Sequence, residues 1–453
     1  MRYVRESHRM EHLGTSGSND SSAPEFDLRH TFFTKLGGTF VIRVIALALG
    51  LVVQIVLARL LGTAGYGTFS LAFTIATLAG MIASFGFNQY LVREVASGVE
   101  GQRFGYVHGL LRFSFRFALL LALVGGALLA LLITLLQWPA ETGTRHAVLL
   151  ALISVPIYAL INQRQGALGG LHRVEQGQLP ENLLRPLLFL AAIGCMFLWW
   201  RETINEVNVV LLNLGALFIA VTVGGLLMRG AIPKAVKTSA PEAHTRSWLL
   251  GAGAFLLISG MATIQSQTDI VMIGAIRDVE QVGLYTVPAR LAGLITFLFF
   301  ASNLVIAPMI ARLWEQKDKA GLQQLVRRAS RFVTLVTLPF ALVLVVAPGF
   351  LLGFFGHEFK GGGDALVILT IGWFLNIALG PVTFLLSMTG HERLIARIVA
   401  LSTLVNIALN AILIPAYGIE GAAVATGVSF LVWKITAMFM VRRKIGIAAN
   451  GLM

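Results

Sequence analysis

Several basic side chains fall where a basic side chain is expensive. Arg43, Arg164, Arg290, Arg397 and Lys434 lie inside long apolar runs, Arg116 lies in the first turns of another, and Asp269 is the acid at similar depth. An ionised group within hydrocarbon costs on the order of several kcal/mol, so such groups face a wet interior or mark a function. Positive charge in excess implies that a counter-charge arrives from outside the chain, as a diphosphate would supply. Arginine suits that work because its planar fork grips phosphate oxygens at two points, whereas Lys434 offers a point charge. The competing reading is snorkelling, in which the stem lies along lipid and the head reaches the interface. It applies to Arg43, Arg116 and Arg397, near span ends, more than to the deeper Arg164 and Lys434.

Asp269 and Arg290 fall at comparable depth in consecutive runs, which leaves two readings open. They form a structural bridge, or Asp269 takes up a proton or a sodium ion during a cycle and releases Arg290 to a ligand. Amides recur in the same runs: Gln54, Asn88, Gln163, Gln165, Gln265, Gln267, Asn303, Asn376, Asn406 and Asn410. Most are expected to join helices to one another. Gln265 and Gln267, beside Asp269, are the ones expected to meet sugar hydroxyls.

The elements that must hold these groups follow from composition. Of 453 residues, 56% are hydrophobic and only 13% charged, with a mean hydropathy of +0.79. So few polar side chains cannot cover a soluble surface, and the solvent must be mostly lipid. Runs long enough to cross a bilayer core as helix need about 20 residues. They fall at Thr39 to Leu60, Thr68 to Leu91, Phe115 to Leu136, Ala147 to Leu171, Leu183 to Trp200 and Val207 to Met228. A second set covers Trp248 to Ile276, Leu284 to Ala311, Phe332 to Phe355, Ala365 to Met388, Leu394 to Tyr417 and Ile419 to Val441. The polar stretch between these sets makes residues 33–229 and 248–441 two six-helix bundles joined by a linker at 230–247. Residues 1–32 and 442–453 form tails, the first expected to be disordered. The fold class is therefore an all-α integral membrane protein of about 12 transmembrane helices in two six-helix halves. Two halves of six are a known transporter layout, with the site between them near midplane. Gly67-Thr68-Phe69 and Gly283-Leu284-Tyr285 stand at matching places in the two sets.

A net charge of +13 could suggest nucleic acid, but the cations sit in short loops between apolar runs. Arg2, Arg5, Arg9, Arg29 and Lys35, then Arg93, Arg103 and Arg112, then Arg229, Lys234, Lys237 and Arg246 all fall on one side. Arg312, Lys317, Lys319 and Arg442 to Lys444 join them, while the opposite loops hold Arg145, Arg201, Arg277 and Lys360. Retention of cationic loops on the cytoplasmic side then puts both termini there and removes nucleic acid as a partner. Trp138, Trp199, Trp200, Trp248 and Trp314 fall at span ends, where such rings prefer the headgroup layer. No apolar core with a cleavage-like site opens the chain, so the N-terminus is expected to be kept. The single cysteine, Cys195, excludes an internal disulfide or a cysteine cluster. Leu322, Leu325, Val326, Ala329 and Phe332 share one helical face, with Arg327, Arg328 and Arg331 off it, and this stretch is expected to lie on the cytoplasmic surface.

The segment LARLLGTAGYGTFSLAFTIATLAGMIASFGFNQYLVREVA resembles the opening helix pair of the oligosaccharide flippases. DIVMIGAIRDVEQVGLYTVPARLAGLITFLFFASNLVIAPMIARL is similar to their seventh and eighth spans, and WEQKDKAGLQQLVRRASRF to their cytoplasmic amphipathic stretch. The resemblance covers essentially residues 33 to 441. It implies a multidrug-extruder-like fold and transport rather than catalysis, with no cofactor beyond a coupling proton or sodium ion. The substrate it implies is an oligosaccharide on undecaprenyl diphosphate, an O-antigen or exopolysaccharide unit, moved between leaflets of a bacterial inner membrane by alternating access. Membrane lipids, a glycan polymerase and other assembly proteins are the implied partners. The rivals are an extruder of organic cations, which needs buried carboxylates this chain largely lacks, and a lipid II flippase, whose chains carry extra spans. A membrane-embedded polymerase or ligase would need a long extracytoplasmic loop, and Gly361-Gly362-Gly363 lacks the flanking residues of a nucleotide loop.

Overall fold

The computed structural model describes residues 28–199 and 201–447, except the side chains of residues 28–42, 201, 258, 259, 262, 298, 300–305, 307 and 308. Most of the expected N-terminal tail, the last residues of the C-terminal one, and the side chains of Lys35, Asn303 and Pro308 therefore lie outside the described residues. The chain forms two units, Met1–Ile45 and Ala46–Met453. Of the first, the described side chains are the exposed Arg43, Val44 and Ile45. The second unit carries everything below.

Every regular element among the described residues is helical, as lipid demands, since a helix satisfies its own backbone. In chain order the first half holds α1 (Leu28–Ala83), α2 (Phe87–Glu100), α3 (Phe104–Leu136), α4 (Thr142–Ala151), α5 (Ser154–Gly170), α6 (Val174–Leu179), α7 (Arg185–Trp199) and α8 (Glu206–Ala231). A short α9 (Lys234–Thr238) lies in the linker. The second half holds α10 (Thr245–Ile276), α11 (Val279–Gly293), α12 (Ile295–Glu315), α13 (Lys319–Val346), α14 (Pro348–Gly353), α15 (Gly363–Ala378), α16 (Val382–Met388) and α17 (Glu392–Lys444).

Among the described residues eight stretches are long and apolar enough to cross a membrane. Two of them, Arg43–Ala83 and Glu392–Lys444, each turn a corner at one glycine and hold two of the twelve runs, so the eight carry ten. The other two runs lie on α10 and on α11 with α12, where some side chains are outside the description. The corners are Gly62, at φ 67°, and Gly418, at φ 58°. A residue with a Cβ is strained in that left-handed region, so glycine lets successive spans meet without a loop.

Within the first half α2 and α3 pack on α5, and α4, α5 and α7 on α8; within the second, α10 and α15 pack on α17, and α12 on α13. The halves meet along α1 and α2 against α10 and α11. A Cβ on Gly67 would lie 1.7 Å from the Val279 carbonyl oxygen, and one on Gly283 would lie 2.1 Å from that of Thr63. The contact is reciprocal, each glycine meeting the carbonyl four residues before the other. Backbones approach this closely only where side chains are absent. Leucines along α3, including Leu120, Leu123 and Leu128, are left exposed, as are Leu335 and Val346 on α13. Such a surface is stable against lipid rather than water.

The stretch at 319–331 departs from expectation. It is the first part of α13 and runs straight into a span. Leu322, Val326 and Ala329 are buried against Ile310, Leu385, Ile398 and Val441, while Phe332, Arg327, Arg328 and Arg331 are exposed. Its apolar face is covered by the bundle, so it has no need of a membrane surface.

Candidate functional site

Asp269 is buried in the second half, 5% exposed, and among the described residues no cation pairs with it. Four donors surround the carboxylate instead. The Tyr285 hydroxyl from α11 and the Thr426 hydroxyl from the far side of the Gly418 corner donate to Oδ2. Asn410 Nδ2 donates to Oδ1 at 2.7 Å, with Asn406 Nδ2 at 3.4 Å. One turn toward the basic side, Gln265 donates to Ser402 Oγ at 2.8 Å, and Ser402 donates to the Ser429 carbonyl at 2.7 Å. Helical spacing explains the convergence: 265 and 269 share one face of α10, as do 402, 406 and 410 on α17. Gln267, on the other side of α10, is half-buried and outside this cluster. Among the described residues Asn410 Oδ1 and Gln265 Oε1 are buried without a hydrogen-bond partner. Buried oxygens left so are costly unless a proton, ion or water meets them.

Of the two readings of Asp269 and Arg290, the bridge between them is not formed. Arg290 is exposed on α11, and its guanidinium lies beside the Tyr66 hydroxyl of the first half. Tyr66 is itself fully buried and donates to Gln54 Oε1 at 2.5 Å. Arg290 thus sits at the seam between the halves, and no carboxylate pairs with it among the described residues.

Arg164 is as deep as its position in the run implies, at 2% exposure, but it is not free. Its Nη2 pairs with Glu181 and donates to the Gly177 carbonyl at 3.2 Å. A Cβ on Gly224 would lie 1.2 Å from Nη1, so α8 gives the guanidinium its room. Glu181 falls just before the apolar run that starts at Leu183, so depth within the runs gives no sign of it. The helix in fact continues through Pro180 by a π-turn over Pro180–Leu184 and carries Glu181 inward.

Lys434 is also deep, 3% exposed. Its Nζ donates to the Gly380 carbonyl at 2.8 Å and lies 5.2 Å from the Phe299 ring centre. Gly380, at φ 87°, stands where α15 gives way to α16, and that break turns its carbonyl toward the lysine. Arg43, Arg116 and Arg397 are exposed. Arg185 was not anticipated. It opens α7, half-buried, donates Nε and Nη2 to Asn213 Oδ1 at 3.3 and 3.1 Å, and lies 5.7 Å from the Tyr158 ring centre. Its place at the head of a run hid it in the sequence.

At the end of the bundle with few basic residues the halves are latched. Arg59 Nε donates to the Phe354 carbonyl at 2.7 Å, Thr63 Oγ1 to Glu280 Oε1 at 3.3 Å, and the Tyr66 and Phe359 rings meet edge-on at 5.8 Å. Toward the basic end a cavity of about 240 Å³ lies between Gln89 of α2 and Phe255, Thr383, Phe384, Ser387 and Glu392 of the second half. No group of three or more His, Cys, Asp or Glu that could hold a metal is found among the described residues.

Eight candidate spans among the described residues, with ionisable groups buried between them, fit a multi-pass membrane transporter. The chain belongs to the polysaccharide biosynthesis protein family, whose model matches residues 35–314, and a MatE model matches residues 250–412. A Haloferax volcanii protein described as a probable low-salt glycan biosynthesis flippase is 27% identical over 168 residues, 37% of this chain and 36% of its own length. A candidate O-antigen transporter of Shigella flexneri is 20% identical over 403 residues, 87% of this chain and 94% of its own. The chain spans about a third of the length of the first two curated relatives it matches, 32% and 36%. In fold it is similar to the lipid II flippase MurJ in an inward closed conformation, at TM-score 0.73 and 13% identity, over 89% of this chain and 87% of that one. It is also similar to an inward-facing multidrug resistance MATE transporter, at TM-score 0.71 and 13% identity, over 90% and 98%.

Proposed function

We propose that this protein is a flippase that carries a lipid-linked, anionic oligosaccharide across the membrane by alternating access, coupled to cation uptake at Asp269. The observation that carries this reading is Arg290, an exposed arginine at the seam of two helical halves with no carboxylate to neutralise it among the described residues. A diphosphate between carrier lipid and sugar has the charge and oxygen geometry such a group recognises. Arg185 and Lys434, whose partners among the described residues are neutral, are the next candidates for the headgroup, with Gln265 and Gln267 for sugar hydroxyls. Arg164 is a weaker candidate because Glu181 already neutralises it.

The substrate class follows from the relatives' descriptions as glycan flippase and O-antigen transporter. The carrier is taken as undecaprenyl diphosphate, and the direction as cytoplasmic to periplasmic leaflet of a bacterial inner membrane. Both termini then lie in the cytoplasm, on the side of the basic loops. The latch around Thr63, Tyr66 and Gly67 is the periplasmic gate, and the cavity at Gln89 lies on the cytoplasmic side. A polymerase and other assembly proteins would receive the flipped unit.

Asp269 suits cation uptake because its neighbours offer oxygen: two amides, two hydroxyls and the carboxylate itself. An amide turned end for end presents oxygen to a sodium ion, and a proton on the carboxylate would satisfy the same cage. An extruder of organic cations fits less well, since among the described residues Glu181 is neutralised by Arg164 and Asp269 is buried among the side chains of its own half.

The test is flipping of a fluorescent undecaprenyl-diphosphate oligosaccharide by protein in liposomes. Arg290→Gln combined with Arg185→Gln should abolish flipping while the protein remains monodisperse. Unchanged flipping by that variant would remove the anion-binding reading.

A further inference from the structure

The linker between the halves is strapped to the foot of α3. The Glu242 amide donates to the Gly105 carbonyl at 3.1 Å, and a Cβ on Gly109 would lie 1.8 Å from the Glu242 carbonyl oxygen. Two glycines four residues apart clear a track on one face of α3, and the linker backbone lies in it. One turn further along, the linker, α3 and the start of α10 enclose a groove of about 440 Å³. Arg112 and Arg116, four residues apart and both exposed, line it together with Phe117, Leu120, Glu242 and Trp248.

No carboxylate pairs with either arginine among the described residues, and the one acid in the lining, Glu242, is engaged by His244 at 3.2 Å. Trp248 is 1% exposed, and its Nε1 is buried without a hydrogen-bond partner among the described residues. Beyond the groove α3 turns Leu120, Leu123 and Leu128 outward, 62%, 53% and 61% exposed. Paired cations, an aromatic rim and an apolar helix face thus follow one another along a single element, in the order of a phospholipid's headgroup, interface and acyl chains.

We propose that this groove binds an anionic membrane phospholipid, with Arg112 and Arg116 on the headgroup phosphate and the acyl chains along the outer face of α3. The lipid would then lie against the linker and fasten it to the first half. The binding does not rest on the flippase reading.

Native mass spectrometry of the purified full-length protein tests it, with phosphatidylglycerol, phosphatidylethanolamine of the same acyl chains, and undecaprenyl phosphate as probes. Phosphatidylglycerol should be retained in preference to phosphatidylethanolamine. Arg112→Gln with Arg116→Gln should weaken that retention roughly tenfold, and Arg112→Lys with Arg116→Lys, which keeps the charge, should preserve it and guards against a folding defect. Equal retention of the two phospholipids by the unsubstituted protein, or full retention by the glutamine variant, overturns the proposal. Displacement of phosphatidylglycerol by equimolar undecaprenyl phosphate also overturns it, since the groove would then be a carrier-lipid site. None of these outcomes bears on flipping, which is read separately in liposomes.

Discussion

Among the described residues four donors and no positive charge surround the Asp269 carboxylate, a costly arrangement in a low-dielectric interior unless a proton or metal cation joins it. Asp269→Asn should therefore leave residual flipping that no longer responds to an imposed sodium or proton gradient, measured in liposomes. An intact gradient response would separate Asp269 from coupling. Thr426→Val distinguishes the ions: it removes one oxygen ligand and should raise the sodium concentration needed for half-maximal flipping, whereas proton uptake would tolerate it. The Arg164 and Glu181 pair makes a different prediction. Glu181→Gln leaves a guanidinium buried without its counter-charge, which costs about 3–5 kcal/mol and should lower the thermal midpoint markedly. Replacing both partners by apolar residues of similar volume should recover most of that loss. A midpoint unmoved by Glu181→Gln would show that the pair is hydrated and contributes little.

Glycines set the geometry of the elements more than any other residue type does here. Gly62 and Gly418 turn corners within α1 and α17, and the Gly418 corner brings Thr426 back against Asn406, at 3.2 Å between Nδ2 and Oγ1. Gly67 and Gly283 let α1 and α11 cross backbone to backbone at the proposed periplasmic gate. Gly67→Val places side-chain atoms where the Val279 carbonyl now lies, so the crossing must part and the population should shift toward an open gate. Cys195→Ser provides a cysteine-free background, since it is the single cysteine. In that background a cysteine introduced at Thr63 should react with a membrane-impermeant maleimide severalfold faster in the Gly67→Val variant than without it. Equal rates would mean that the crossing does not hold the gate shut.

For the molecule as a whole, the asymmetry of its loops predicts its orientation. Lys360→Cys should label from outside intact cells, and Arg229→Cys only after permeabilisation; the reverse pattern would invert the proposed direction of transport. The latch at one end and the cavity at Gln89 toward the other suit a state that loads from the basic side. Rocking of the halves would exchange the two, with Arg290 at the seam in reach from either side.

The helical class and the presence of several membrane-crossing helices were legible without coordinates, because lipid imposes length and apolarity on every crossing residue by residue. The matching Gly67 and Gly283 segments were also visible, though not that they touch. Depth was legible too: Arg164 and Lys434 are as buried as their place in the runs implies. What tertiary structure alone decided is which charges have partners. Glu181 reaches Arg164 through a π-turn around Pro180, and Asp269 meets Thr426 from 157 positions away, across the Gly418 corner. Neither contact has a periodic trace in sequence, because pairing between spans depends on rotation and packing of whole helices, which hydropathy does not encode.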